Sequence, residues 1–279
     1  MSSSAKWAIL ALSLVGGCLD HTPLGRAADV VVVHAVLHPT TSVQHVDVRH
    51  SGIDLTGGVP VHGATVTLTA PDGTVRIASE VASPSDPANG TLNFDARYDV
   101  AVGALTIGQP YHLRVVTADG TITEGDAIVP AAPPPQVMTE RSFDPTKDTL
   151  RLAWPRATGA RAYEVRIIPR LDSTGAPVVI TPSGAAEVPV EPYLAYVDTS
   201  VVIAGMAQQN GVRVFQPGIR YDVVVSAVDD HYYAYFAHDS DPYTATALPS
   251  SLRGGIGVFG AIVPILGLRI VVEGGAPGL

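Results

Sequence analysis

The chain has 279 residues, with 17 Lys and Arg against 26 Asp and Glu, and a net charge of −9. That balance excludes a nucleic-acid binder, which needs a basic face to neutralise phosphates, and electrostatic docking on an anionic membrane surface. Charged residues make up only 15% of the chain, while Gly (27) and Pro (23) are frequent and spread along it, which suits many short strands joined by turns.

In chain order, Lys6 precedes the apolar run Trp7-Ala8-Ile9-Leu10-Ala11-Leu12-Ser13-Leu14-Val15, and Gly16-Gly17-Cys18 follows. A charged start, a short apolar stretch and small residues at a cleavage point form a secretory signal in its usual order. The run is too short to span a bilayer, which takes about 20 apolar residues. Val15-Gly16-Gly17-Cys18 resembles the lipobox of bacterial lipoproteins. The resemblance implies that 1–17 is a lipoprotein signal peptide and that Cys18 carries acyl chains on its thiol and its new amino group. The alternatives are an ordinary signal peptide with a chance cysteine, or a buried apolar helix. Cys18 is the only cysteine, so once acylated it leaves neither a disulfide nor a thiol nucleophile. Residues 18–28 have no periodicity and read as a tether.

Residues 29–130 read as strand, turn, strand. A β-branched run over 30–37 ends at His38-Pro39. Val61, Val66 and Leu68 alternate up to the turn Pro71-Asp72-Gly73, and 74–78 continue as the partner strand. Asn89-Gly90 and Asp119-Gly120 are further turn signals, and Tyr111, Leu113 and Val115 alternate between them. No helical stripe is present, and short strands with frequent turns predict a β-sandwich.

Residues 131–135 are Ala-Ala-Pro-Pro-Pro; the consecutive prolines lack backbone donors and hold an extended conformation, so the segment reads as a proline linker between two domains, the alternative being a proline-rich loop inside one domain. From 136 to 279 a second β pattern runs. Leu150, Leu152 and Trp154 point one way; Tyr163, Val165 and Ile167 alternate with Glu164, Arg166 and Ile168; Tyr221, Val223 and Val225 follow Gly218. This stretch resembles a fibronectin type III module, in which Trp154 would pack on Tyr163 and Tyr221 would serve as a tyrosine corner. An insertion is expected at about 170–212, with a short helix at 203–208. Gly108-Gln109-Pro110-Tyr111 echoes Gly218-Ile219-Arg220-Tyr221, which predicts a tyrosine corner in each half. The glycine-rich apolar tail from Gly254 reads as a closing strand at a sheet edge or between sheets; Pro264 and Arg269 argue against a membrane span.

Few residues suggest chemistry. Gly255-x-Gly257-x-x-Gly260 matches the dinucleotide-binding expression, but Pro264 stands where its helix should begin, so no cofactor is expected. Asp229, Asp230, His231, Asp239 and Asp241 could contribute to a cation site, yet their spacing matches no ligand signature, and solvated turn residues are the simpler reading. Tyr232, Tyr233, Tyr235 and Phe236 form the densest aromatic cluster, read either as an exposed surface for a sugar or protein, or as core filling at a strand end.

Several pieces together resemble a family of bacterial lipoproteins, domain of unknown function 4249. They are the lipobox at Cys18, the Pro60–Leu68 strand leading to Pro71-Asp72-Gly73 in the style of carboxypeptidase-regulatory or prealbumin-like domains, Tyr111-His112-Leu113-Arg114-Val115, the stretch from Ala227 to Tyr233, and Gly254–Gly260. The resemblance implies an outer-membrane lipoprotein associated with TonB-dependent transporters, and no catalytic residues. Leu19 fits outer-membrane placement, since an acid there would favour inner-membrane retention. The expected fold is therefore all-β: an Ig-like or prealbumin-like sandwich, then a fibronectin type III-like sandwich. The expected function is a non-enzymatic, lipid-anchored accessory to nutrient uptake, with the membrane and a transporter as partners. A structural or adhesive envelope protein and a secreted hydrolase using the acidic 229–241 region are the alternatives.

Overall fold

The structure is a computed structural model that describes residues 30–51, 59–82, 96–170, 193–196, 198–209, 212–239 and 250–273. Cys18, the tether and Asn89-Gly90 lie outside the described residues. The described strands are, in order, β1 (Val31–Leu37), β2 (Val43–His50), β3 (Val59–Pro60), β4 (Thr65–Thr69), β5 (Val75–Ile77), β6 (Ser79–Ala82), β7 (Ala96–Ala101), β8 (Pro110–Val116), β9 (Ile122–Ile128), β10 (Gln136–Phe143), β11 (Thr149–Ala153), β12 (Ala162–Pro169), β13 (Tyr193–Tyr196), β14 (Ser200–Ala204), β15 (Gln208–Gln209), β16 (Val212–Arg213), β17 (Arg220–Val228) and β18 (Ile256–Val272). One helix, α1 (Asp230–Asp239), stands between the last two.

Alternation drives most of these elements. In β1, Val31, Val33, Ala35 and Leu37 are buried while the residues between them are half-buried, and β4, β8 and β11 repeat the pattern. Each buried Val, Leu or Ile contributes about 1.5–3 kcal/mol, and the inward residues of all the larger sheets join one continuous core. Among the described residues, the largest sheet runs β13-β12-β17-β18-β1-β2-β7-β6, with β10 also on β18 and β3 on β2. A second sheet, β5-β4-β8-β9, carries Val66, Leu68, Tyr111, Leu113 and Val115 into the core, and β11 pairs with β14.

Three sequence expectations meet their geometry here. The Tyr111 hydroxyl accepts a hydrogen bond from the Thr106 N–H at 2.7 Å, and the Tyr221 hydroxyl accepts one from the Gln216 N–H at 3.0 Å, so both halves hold a tyrosine corner of the same span. Gly108 and Gly218, three residues ahead of each tyrosine, have φ of 74° and 80°. Trp154 stacks edge-on against Tyr163 with ring centroids 5.5 Å apart. Burial pushes the Tyr221 hydroxyl up to about 12, which keeps it neutral and able to hold its corner.

Other expectations are corrected. Residues 200–204 form the antiparallel partner of β11, and 203–208 is strand and turn rather than helix, because Val201, Val202 and Ile203 are β-branched and alternate in burial. The candidate cation residues Asp230, His231 and Asp239 fall within helix α1, Asp230–Asp239, not in turns. Ala131, in the proline segment, exchanges two backbone hydrogen bonds with Thr158, at 2.9 and 3.2 Å.

The tail is an interior strand, not an edge. Residues Ile256–Ala261 of β18 pair in parallel with β1 (Val32↔Ile256 to Leu37↔Ala261). Further on, β17 pairs antiparallel along one side, from Val228↔Ile262 to Arg220↔Val271, and β10 pairs in parallel with Leu266 to Val272. The glycines of the dinucleotide-like expression serve this packing. Gly257 has φ of 120°, and a Cβ there would lie 2.0 Å from the Val33 carbonyl oxygen; one at Gly260 would lie 2.9 Å from the Tyr232 N–H nitrogen. Gly257→Ala is therefore expected to destabilise the whole chain by at least ~2 kcal/mol, measured by urea unfolding followed by circular dichroism, with Gly267→Ala, where nothing lies within 4 Å, as a near-neutral control.

Candidate functional site

Of the residues singled out between 229 and 241, Asp230, His231, Tyr232, Tyr233 and Tyr235 are carried on one face of the large sheet by α1, and Asp229 immediately precedes it. Asp229 caps the helix: its carboxylate accepts from the Tyr232 N–H at 2.8 Å, its carbonyl accepts from the Tyr233 N–H at 3.1 Å, and its own N–H donates to the Ala261 carbonyl at 3.1 Å. Tyr232 then drops into a small apolar patch made by Ala162, Val228 and Ile262, with Val36 and Tyr233 at its margin. That patch explains why the helix sits here, since it covers apolar side chains on the outer face of β12, β17, β18 and β1.

Beneath the helix lies a buried acid. Glu164 is fully buried, although alternation places it on the outward face of β12. The Tyr232 hydroxyl donates to Glu164 Oε2 at 3.1 Å, and Arg166 Nε lies 2.9 Å from Glu164 Oε1. A buried carboxylate without such partners would be prohibitively costly. Burial also pushes the Asp229 carboxyl up to about 6, against the opposing effect of the hydrogen bonds from Tyr232 and Ala261.

The other residues find separate partners. Asp230 pairs with Arg161 at 3.3 Å, and the same guanidinium lies 4.8 Å above the Tyr233 ring. His231 Nδ1 lies 3.2 Å from the Phe259 carbonyl, and Tyr235 meets His34 edge-on with centroids 6.1 Å apart. Asp241 and the side chains of Phe236 and Asp239 lie outside the described residues. Among the described residues, no group of three or more His, Cys, Asp or Glu is placed to hold a metal ion, and no helix is long and apolar enough to cross a membrane. The arrangement thus secures a helix on a sheet, with its polar groups spent on folding contacts rather than converging on one point.

A concavity that alternation alone does not show lies elsewhere, in the first sandwich. A cleft of about 460 Å³ opens between the β4–β5 hairpin and the segment that follows β7, lined by Leu68, Ala70, Arg76, Val102, Ala104 and Tyr111 among others. Its walls come from segments distant in sequence, so no single window of the sequence shows it.

No family model and no curated protein matches the chain. The resemblance to domain of unknown function 4249 accordingly rests on the residues quoted for it. Among solved structures, the chain is similar to the BSP domain of a biofilm-associated protein (12% identity, 89% of this chain and 30% of that one, TM-score 0.24). It is also similar to the IG1 and IG2 domains of DIP-gamma (12% identity, 88% of this chain and 96% of that one, TM-score 0.20) and to the FN1–FN3 domains of chicken CNTN1 (11% identity, 89% and 67%, TM-score 0.19). The chain spans under a third of the biofilm-associated structure it matches. The paired sheets, the two tyrosine corners and the Trp154–Tyr163 stack define the class: an all-β protein of the Ig-like and fibronectin type III-like sandwich type.

The cap gives a pH signature. A carboxyl whose folded-state value lies near 6 and whose unfolded value lies near 4 favours the protonated folded state. Its contribution is present below about pH 4 and is lost as pH rises through about 6. Asp229→Asn keeps a capping oxygen without the charge. The stability of the variant relative to wild type is expected to rise by about 2 kcal/mol between pH 4 and pH 7, measured by urea unfolding at several pH values; a pH-independent difference contradicts it.

Proposed function

We propose that the protein is a lipid-anchored, non-enzymatic binding protein of the bacterial outer membrane, acting as an accessory to a TonB-dependent transporter. The observation that carries the reading is the distance in sequence from Cys18 to the first strand at Val31. A tether of about a dozen residues reaches at most ~45 Å at 3.3–3.6 Å per residue, so acyl chains on Cys18 would hold the sandwiches close to the membrane surface. Tethering of this kind raises the effective concentration of a weak binding surface near a membrane partner without any new contact. The non-enzymatic part is supported by the way the acidic and aromatic side chains from Asp229 to Tyr235 are taken up in folding contacts: Asp229 with the Tyr232 N–H, Tyr232 with Glu164, Asp230 and Tyr233 with Arg161, and Tyr235 with His34.

A second reading, a structural or adhesive envelope protein, is favoured by β18, which joins both halves in one strand and would make a stiff spacer. Growth with labelled palmitate separates anchored from unanchored forms. Label is expected in the wild-type protein and not in Cys18→Ala, which should move from the envelope to the soluble fraction; an unlabelled wild type or an envelope-bound Cys18→Ala contradicts the anchor. Pull-down from solubilised envelope is expected to bring a transporter with it, and retention on glycan or matrix instead would favour the adhesive reading.

A further inference from the structure

We propose that the edge of β5 and the cleft beside it form a docking site for an extended peptide segment of a partner protein, taken up by strand addition and carrying an acidic residue between two apolar ones. This rests on the reading of the chain as a binding protein and adds the chemistry of the partner.

In the sheet β5-β4-β8-β9, the β9 edge is closed by the chain itself: Glu124 and Arg253 exchange two backbone hydrogen bonds, at 3.0 and 2.8 Å. The β5 edge has no strand beyond it among the described residues. Its hydrogen-bonding phase follows from two bonds to β4 and its flank, Ala70 N–H to the Thr74 carbonyl and Ala78 N–H to the Val66 carbonyl, both 2.9 Å. Antiparallel pairs alternate between bonded and non-bonded residues, so Thr74, Arg76 and Ala78 bond towards β4. The N–H and C=O groups of Val75 and Ile77 therefore point away from the sheet, where a second backbone can bond them. The long β10 edge offers no equivalent regular row, since its register is broken between Met138 and Arg141.

Side chains then specify what kind of strand fits. Val75 and Ile77 are 57% and 72% exposed on the outer face, an apolar pair left uncovered by the described residues. Arg76 lies on the opposite face, the one that carries Leu68, and lines the cleft with Val102 and Ala104; its charge acts on the nearby Asp72 carboxyl only as a minor effect, and among the described residues no ion pair or hydrogen bond holds its guanidinium. Asp72, the other charge on the cleft, is turned to its own loop, where its carboxylate accepts from the Thr74 N–H at 2.9 Å and is held below its ordinary range chiefly by that bond. A short edge strand with an inward charge is guarded against chance pairing, because a neutral strand would bury that charge unpaired. A strand with a carboxylate directly opposite Arg76 converts the guard into a contact, since opposed residues share a face. Its two neighbours fall opposite Val75 and Ile77 and cover them. The cleft volume of about 460 Å³ leaves room for the acidic side chain and its neighbour two positions on. Peptide is preferred over a small carboxylate because the two outward-facing residues present backbone groups at strand spacing, which a peptide backbone matches.

The test uses the full chain in detergent and three fluorescent nonapeptides, with Val-Glu-Val, Val-Gln-Val or Val-Lys-Val at the centre of Thr-rich flanks. Fluorescence anisotropy is expected to show the Glu peptide binding at least tenfold more tightly than the other two. Arg76→Glu should reverse the order in favour of the Lys peptide. Val75→Pro removes one outward N–H that β4 does not use and should weaken binding of the Glu peptide at least tenfold, with its melting temperature recorded alongside. The reversal by Arg76→Glu decides the matter even if the proline variant folds poorly. Absence of binding by all three peptides, or an Arg76→Glu order unchanged from wild type, overturns the proposal. Full competition by free glutamate with no effect of Val75→Pro also overturns it, in favour of a small-carboxylate site. Because the readout is on solubilised protein, failure of the palmitate experiment leaves it standing, and its own failure leaves the anchor standing.

Discussion

One strand carries the architecture. The 17 residues of β18 extend for ~55 Å at about 3.3 Å per residue, some three times the usual strand length. Its first third completes the sheet of the amino-terminal sandwich by lying parallel to β1, and the remainder forms the centre of the second sheet between β17 and β10. A strand shared in this way cannot leave one sandwich without stripping hydrogen bonds from the other. It also makes the fold dependent on contacts between the two ends of the chain, which are the slowest to form because the loop between them must be closed first. With no cysteine beyond Cys18 in the chain, the fold rests on that shared ladder and the continuous core and not on a disulfide.

The close approach of β18 to its neighbours then dictates its composition. Gly257 admits the Val33 carbonyl and Gly260 admits the amino end of α1. The helix follows from the second of these contacts. With Gly260 below it, Asp229 can cap, Tyr232 can reach Glu164, and Arg161 can lie over Tyr233. The acidic and aromatic residues that look like a reactive cluster in the sequence are the means by which a ten-residue helix is held on a β-sheet. A helix of that length has little stability by itself and depends on such packing.

Much of this was legible beforehand where the signal is local. Alternation located β4, β8, β11, β12 and β17, and the spacing of Gly108 and Gly218 to their tyrosines located both corners, because each feature is written in a few adjacent residues. What failed was non-local. The apolar run of β18 is buried on both faces and so has no period, which hides that it is an interior strand with three partners. Helix α1 has tyrosines on several sides, each meeting a different neighbour, so no stripe marks it. Glu164 reads as an outward residue, and only the helix above it makes it buried. The cleft at Arg76 arises where β4, β5 and the segment after β7 meet, and no window of sequence contains all three.

The claim that both sandwiches share one structural strand is tested most directly by native-state hydrogen exchange across residues 256–272. The account predicts that the amides of Phe259, paired region of β1, and of Leu268 and Ile270, paired region of β17, exchange with the same opening free energy and shift together when denaturant is added. Separate opening of 256–261 from 262–272, with distinct free energies and denaturant dependence, would contradict it.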